Sequence, residues 1–293
     1  MKYEKEHRFI LSLLDGIDTI IEDNNVLNVV TKSDHRDLVT VVDKAIEDYL
    51  MEQITRNFPG DAMLGEEHYD PSPTSADGSP KPKMADQDRL WVLDPIDGTT
   101  NFVKQGDNYC TLIAFFEKGV PYLSYIFLPP TGELFYAIRG QGAYHRTWAG
   151  RGTDDFYKKL SDRSFVEEKL PPVEDTELKE SLISFDLRRL YRYYPDFVGH
   201  LITEAFEIRR QGSSGVDGTK VIQGHYKCFM TYSGGPWDFA THFLFAEELG
   251  LVLCQLDGSP LDLDSYHSFF FGTPKIFVDI RRAFQAESEG CTP

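Results

Sequence analysis

Cysteine is scarce in this sequence, with 4 in 293 residues, and Cys110, Cys228, Cys254 and Cys291 form no CxxC pair. That spacing argues against a disulfide scaffold or a structural zinc site, and reduced thiols in a cytoplasmic protein are the expectation. Positive charge is also short. Lys and Arg total 30 against 47 Asp and Glu, a formal net charge of −17. Binding to duplex nucleic acid or to an anionic membrane needs a basic surface, so neither is an expected partner. Long apolar runs are missing too. Thr111-Leu112-Ile113-Ala114-Phe115-Phe116 is strand-sized, far below the ~20 residues of a spanning helix. The apolar stretch between Arg8 and Asp15 is too brief for a signal-peptide core. What remains is ordinary globular composition, 41% hydrophobic and 26% charged, in a length that suits about two domain-sized units.

Apolar periodicity predicts a first helix over 9–21 and a second over about 40–57 with Val41, Ala45, Ile46, Tyr49, Leu50 and Ile54 inward. Residues 70–88, rich in Pro, Ser, Asp and Gly, read as an exposed, mobile loop. Strand-like runs at 109–117, 120–128 and 133–138, joined by tight turns, suggest antiparallel pairing. Strands and helices alternate from residue 181 onward, which favours a mixed or parallel sheet covered by helices. The expected class is therefore α/β with α+β character in the first half. Residues 1–150 would form one unit, 151–178 a charged connector, and 179–293 a second unit completing the site.

Chemistry concentrates in Trp91-Val92-Leu93-Asp94-Pro95-Ile96-Asp97-Gly98-Thr99-Thr100-Asn101-Phe102. A buried strand runs into two carboxylates, where Pro95 should end ladder pairing, and Gly-Thr-Thr then opens a helix. Carboxylates at a strand end suit a hard cation such as Mg²⁺, and free N–H groups at Gly98, Thr99 and Thr100 suit a phosphate. Asp97-Gly98 can also be read as a simple hairpin turn, a reading that Pro95 and the following Thr-Asn weaken. Glu66-Glu67 ends another short apolar run and alone reads as a solvated pair; Asp238 alone reads as a first-turn helix acid. The function turns on whether Glu66, Asp94, Asp97 and Asp238 converge. Two bare carboxylates ~4 Å apart repel by about 4 kcal/mol at an effective dielectric near 20, so convergence implies cations.

Leu64-Gly65-Glu66-Glu67, the 91–102 segment and Trp237-Asp238-Phe239-Ala240 together resemble the three signatures of the inositol monophosphatase family. Lys32-Ser33 and Asp37–Asp43 resemble the family's segment before its second helix. The resemblance implies a layered α-β-α-β-α sandwich and a Mg²⁺-dependent, lithium-sensitive phosphomonoesterase. It implies that Glu66, Asp94 and the Ile96 carbonyl hold one Mg²⁺ and that Asp94, Asp97 and Asp238 hold a second, with Glu66 serving a weaker third. Backbone N–H groups of Gly98 and Thr99 would hold the phosphate, and Thr99 paired with Asp43 would orient the attacking water. Lys32, Gly212 and Ser213 would lie beside the substrate, and a homodimer is the family expectation. The implied substrate is inositol monophosphate or a related polyol or sugar phosphate. Fructose bisphosphate, a 3′-phosphoadenosine nucleotide and a non-catalytic cation-binding homologue are the alternatives. Thr231 stands where the family commonly has an inositol-contacting Glu, and Gly215 where a larger residue is usual.

Overall fold

The computed structural model describes residues 2–23, 41–72, 74, 81–149 and 160–288, and residues 29–31 and 38–40 by backbone alone. Helices α1 (Glu4–Asp23) and α2 (Val41–Asn57) flank a two-stranded ribbon of β1 (Val29–Thr31) and β2 (Leu38–Thr40). A seven-stranded sheet follows in chain order: β3 (Ala62–Gly65), β4 (Leu90–Asp97), β5 (Cys110–Glu117), β6 (Val120–Leu128), β7 (Glu133–Ile138), β8 (Gly142–Trp148) and β9 (Phe165–Lys169). Only β3 and β4 run parallel in it. Helix α3 (Thr99–Gln105) leaves the end of β4. The second sheet, ordered β11 (Glu207–Arg209), β10 (Leu182–Phe185), β12 (Cys228–Gly234), β14 (His267–Gly272), β13 (Val252–Cys254), mixes parallel and antiparallel pairs. Helices α4 (Leu187–Tyr193), α5 (Pro195–Glu204), α6 (Ser214–Ile222), α7 (Pro236–Leu249) and α8 (Pro274–Ser288) complete the chain.

Strand alternation explains the layering. On β4 and β5, Trp91, Leu93, Ile113 and Phe115 face α1 and α2, while Leu90, Val92, Leu112 and Ala114 face α6 and α7. Phe229, Phe269 and Phe271 of the second sheet close that middle layer from the other side. Its outer face, with Ile183, Phe185, Met230 and Phe270, packs on α4, α5 and α8. The order is thus helix, sheet, helix, sheet, helix, and α7 is buried on nearly every side because it lies between two sheets. Among the described residues no helix is long and apolar enough to cross a membrane.

Four expectations are corrected. The buried stripe of α2 is Val42, Asp43, Ile46, Glu47, Leu50 and Ile54; Val41 is exposed, and Ala45 and Tyr49 are only half-buried. Two carboxylates occupy core positions that a purely apolar reading passes over. Residues 165–169, inside the charged stretch, form β9, whose five residues are all exposed and so leave no apolar signal. Pro95 does not end β4, which continues through a bulge to Asp97. In the 70–88 segment, Met84 packs against the central core and its N–H donates to Asp264 Oδ1 at 2.8 Å.

Phe115 anchors the outer layer: it is fully buried, 4.8 Å from the Trp91 ring and 4.7 Å below the Arg89 guanidinium. Phe115→Ala should cost about 3–5 kcal/mol in denaturant unfolding, because the sheet cannot collapse into the space left. A loss below about 1 kcal/mol would contradict this packing.

Candidate metal and phosphate site

The bulge in β4 decides where its acids point. Asp94 pairs with Leu112 and Asp97 with Cys110, so two intervening residues on β4 oppose the single Thr111. In a regular strand, residues three apart face opposite ways. The extra residue resets the alternation, Ile96 turns into the α1/α2 core, and both aspartates face the middle layer. Thr111 Oγ1 donates to the Pro95 carbonyl at 2.8 Å, satisfying an oxygen that the bulge removes from the ladder.

Parallel pairing of β3 with β4 sets Gly65 beside Leu93, so Glu66 follows alongside Asp94. The turn carrying Glu66 is held from beneath by Glu47, a buried carboxylate of α2. Glu47 accepts the Glu67 and His68 N–H groups, each at 2.9 Å, and pairs with His68 Nδ1 at 2.6 Å. One helical turn earlier, buried Asp43 accepts the Thr99 hydroxyl at 3.2 Å; that hydroxyl also lies 3.1 Å from the Ile96 carbonyl.

Asp97 sits at the N-terminus of α6. It accepts the Ser213 hydroxyl at 2.6 Å, the Ser214 hydroxyl at 3.1 Å, and the N–H groups of Ser214 (3.2 Å) and Gly215 (2.5 Å). Asp238, in the first turn of α7, accepts the Gly235 N–H at 2.7 Å with one oxygen and the Ser214 hydroxyl at 3.3 Å with the other. Helix capping and membership of the acidic cluster are therefore compatible roles for it. Carboxylate oxygens of Asp94, Asp97 and Asp238 lie within 4.8 Å of one another. Asp94 Oδ1 is buried with no hydrogen-bond partner. Burial, then the charges of Glu66, Asp97 and Asp238, holds the Asp94 carboxyl well above the usual carboxylate range. Burial, then Asp97, pushes Asp238 up to about 7. Oxygen ligands, crowding and an unpartnered buried oxygen fit a divalent cation.

Glu66, Asp97, Gly212, Ser213 and Asp238 line one cavity of ≈ 750 Å³, together with Thr231 and Trp237. Gly212 (φ +85°) places its N–H on Asp217 at 3.2 Å, and a Cβ there would press on the Asn101 amide at 3.3 Å. Asn101 ties this turn to α3 by donating to the Asn108 and Gln211 carbonyls at 2.8 and 2.7 Å. Ser213 serves Asp97 and also caps α6 by accepting the Val216 N–H at 3.1 Å. Lys32 lies outside the described residues. Sequence reasoning missed Glu47 and a basic group on the cavity wall, Lys104, Arg188, Arg189 and Arg210. The adjacent arginines 188 and 189 were the available signal.

Gly215 has a local cause: a Cβ there would lie 2.4 Å from Cys110 Sγ and 3.2 Å from Asp97 Oδ2. Gly215→Ala should destabilise the protein by about 1–3 kcal/mol, with Cys110→Ala restoring part of the loss; strict additivity of the two would refute the contact. The raised aspartates also set a pH dependence. Their folded pKa values exceed the unfolded value of about 3.9, so the stabilisation they give the metal-free protein is present at low pH and fades as pH rises toward and through about 7. Melting scans from pH 5 to 8 should show Mg²⁺ stabilising the protein progressively more at higher pH, relative to EDTA. A Mg²⁺ increment independent of pH would contradict the linkage.

The comparisons agree with this geometry. The inositol monophosphatase family model matches residues 12–281. The inositol-1-monophosphatase of Bacillus subtilis (strain 168) is 28% identical over 257 residues, covering 87% of this chain and 86% of that protein. The Nus factor SuhB of Escherichia coli (strain K12) is 31% identical over 222 residues, covering 76% and 73%. Among solved structures, an IMPase/NADP phosphatase complexed with Mg²⁺ and phosphate aligns with a TM-score of 0.82 at 28% identity, over 98% of this chain and 97% of that one. With that match running almost end to end over a fold and an acidic centre of this kind, the chain belongs to the inositol monophosphatase family.

Proposed function

We propose that this family phosphatase is a Mg²⁺-dependent phosphomonoesterase acting on a small phosphate ester, with inositol monophosphate or a related polyol or sugar phosphate as the first candidate. The observation that carries the reading is the buried, unpartnered Asp94 Oδ1 inside a cluster of three aspartates. Glu66, Asp94 and the Ile96 carbonyl would hold one Mg²⁺, and Asp94, Asp97 and Asp238 a second, with Glu66 able to serve a third. Bound there, the cations would supply charge neutralisation at the attacking and leaving oxygens and lower the pKa of water.

The protein's own groups do the positioning. Asp43 accepts a hydrogen bond from the Thr99 hydroxyl, which leaves the Thr99 oxygen as an acceptor that would orient the attacking water. N–H groups of Gly98 and Thr99, at the start of α3, would receive the phosphate. Ser213 and Ser214 fix Asp97 through their hydroxyls, and Gly212 lines the substrate cavity. Lithium sensitivity, a homodimer and a cytoplasmic location belong to the same reading.

Asp97→Asn and Asp238→Asn should each lower phosphate release from inositol 1-phosphate on the order of 10²-fold or more while circular dichroism stays native. Unchanged turnover at saturating Mg²⁺ would overturn the proposal. Mg²⁺ binding without release from any ester would point instead to a non-catalytic cation-binding homologue.

A further inference from the structure

A buried acid is unfavourable unless its oxygens are bonded, and Glu47 is a buried acid outside the aspartate cluster. It lies on the inward stripe of α2 and is fully buried. Both of its oxygens bond to the two residues that follow Glu66. Oε2 accepts the Glu67 N–H at 2.9 Å; Oε1 accepts the His68 N–H at 2.9 Å and meets His68 Nδ1 at 2.6 Å. The other ring nitrogen of His68 lies 3.4 Å from Asp48 Oδ1, so the imidazole sits between two consecutive acids of one helix. Gly65, on the other side of Glu66, accommodates the same carboxylate: a Cβ there would lie 2.5 Å from Glu47 Cδ and Oε1. The backbone before and after Glu66 is thus shaped around one side chain. Asp97 and Asp238 have supports of their own, in the first turns of α6 and α7.

We infer that Glu47 is a positioning residue: it fixes Glu66, and through Glu66 the affinity of the cations that Glu66 holds, while the Asp97 and Asp238 side keeps its own supports. The inference rests on the proposed role of Glu66 as a metal ligand and adds the group that places it. The donors explain why a carboxylate is needed. A carboxylate accepts on both oxygens, whereas a glutamine amide has one acceptor oxygen and one NH₂. In either orientation the NH₂ would face the N–H of Glu67 or of His68, so one backbone donor beside Glu66 would lose its partner. Partners that orient a ligand without touching the ion typically change metal affinity by about 10–100-fold.

Mn²⁺, which takes the same oxygen ligands as Mg²⁺, tests this without turnover when its binding to the full chain is followed by electron paramagnetic resonance. Glu66→Gln identifies the binding step that depends on Glu66. Glu47→Gln should weaken that same step about tenfold or more and shift the remaining step less than about twofold. In the Glu66→Gln background, Glu47→Gln should change Mn²⁺ affinity less than about twofold, because nothing remains for it to position. A merely structural lesion would weaken binding in both backgrounds alike. Should Glu47→Gln fail to fold, Gly65→Ala, which drives a Cβ against the same carboxylate, should show the same non-additivity with Glu66→Gln. Unchanged Mn²⁺ binding in the folded variant, or equal losses in the two backgrounds, would overturn the inference. If Glu66→Gln itself binds Mn²⁺ like the unaltered protein, the assignment of Glu66 fails and the inference falls with it. If the pattern holds but no phosphate ester is hydrolysed, the inference stands and the phosphatase reading fails alone.

Discussion

Crowding of buried negative charge is the constraint on which the rest of this structure depends. Asp94, Asp97 and Asp238 bring carboxylate oxygens within 4.8 Å of one another, with Glu66 close enough to raise Asp94 further. At such separations each like-charged pair costs about 4 kcal/mol at an effective dielectric near 20. Without a cation the cluster can relieve this only by holding protons, which is why burial and mutual charge push Asp94 and Asp238 upward. Local charge at the site is therefore a function of pH and of bound cation, and the global −17 does not describe it.

The surrounding fold is organised to hold that crowding in place. Parallel pairing brings β3 and its Glu66 beside Asp94, and the bulge turns Asp97 to the same face. Two helices from the far half of the chain, α6 and α7, then enter the layer between the sheets with their N-termini directed at these acids. Backbone N–H groups, serine hydroxyls and helix dipoles supply fixed positive ends that tolerate negative charge better than an apolar core does. Beneath the other side, α2 contributes Asp43 and Glu47 one turn apart, the first to Thr99 and the second to the turn carrying Glu66.

Legibility in the sequence followed periodicity. β5, β6 and β7 were readable because their apolar residues run between tight turns, and α6 and α7 because strands flank them. β9 escaped because all its residues are exposed, and α4 because Leu187–Tyr193 is short, charged and followed at once by Pro195. The inward stripe of α2 was misplaced because two of its core positions are acids whose partners lie in other elements. At the site, the aspartates stood out by motif, whereas Glu47 and the basic wall did not, since each gains its meaning from residues distant in the chain.

By itself, the sequence determined which residue types were available: carboxylates at the ends of apolar runs, glycines and hydroxyls beside them, no CxxC pair, fewer basic than acidic residues and no membrane-length run. Those are local properties, set by composition and short-range spacing. Only the tertiary structure decided that Asp94 and Asp97 share a face, that Asp238 joins them, and that four cations line the same cavity. Convergence depends on strand register, one inserted residue and the packing of helices between two sheets, and each of these is fixed by contacts between segments far apart in the chain.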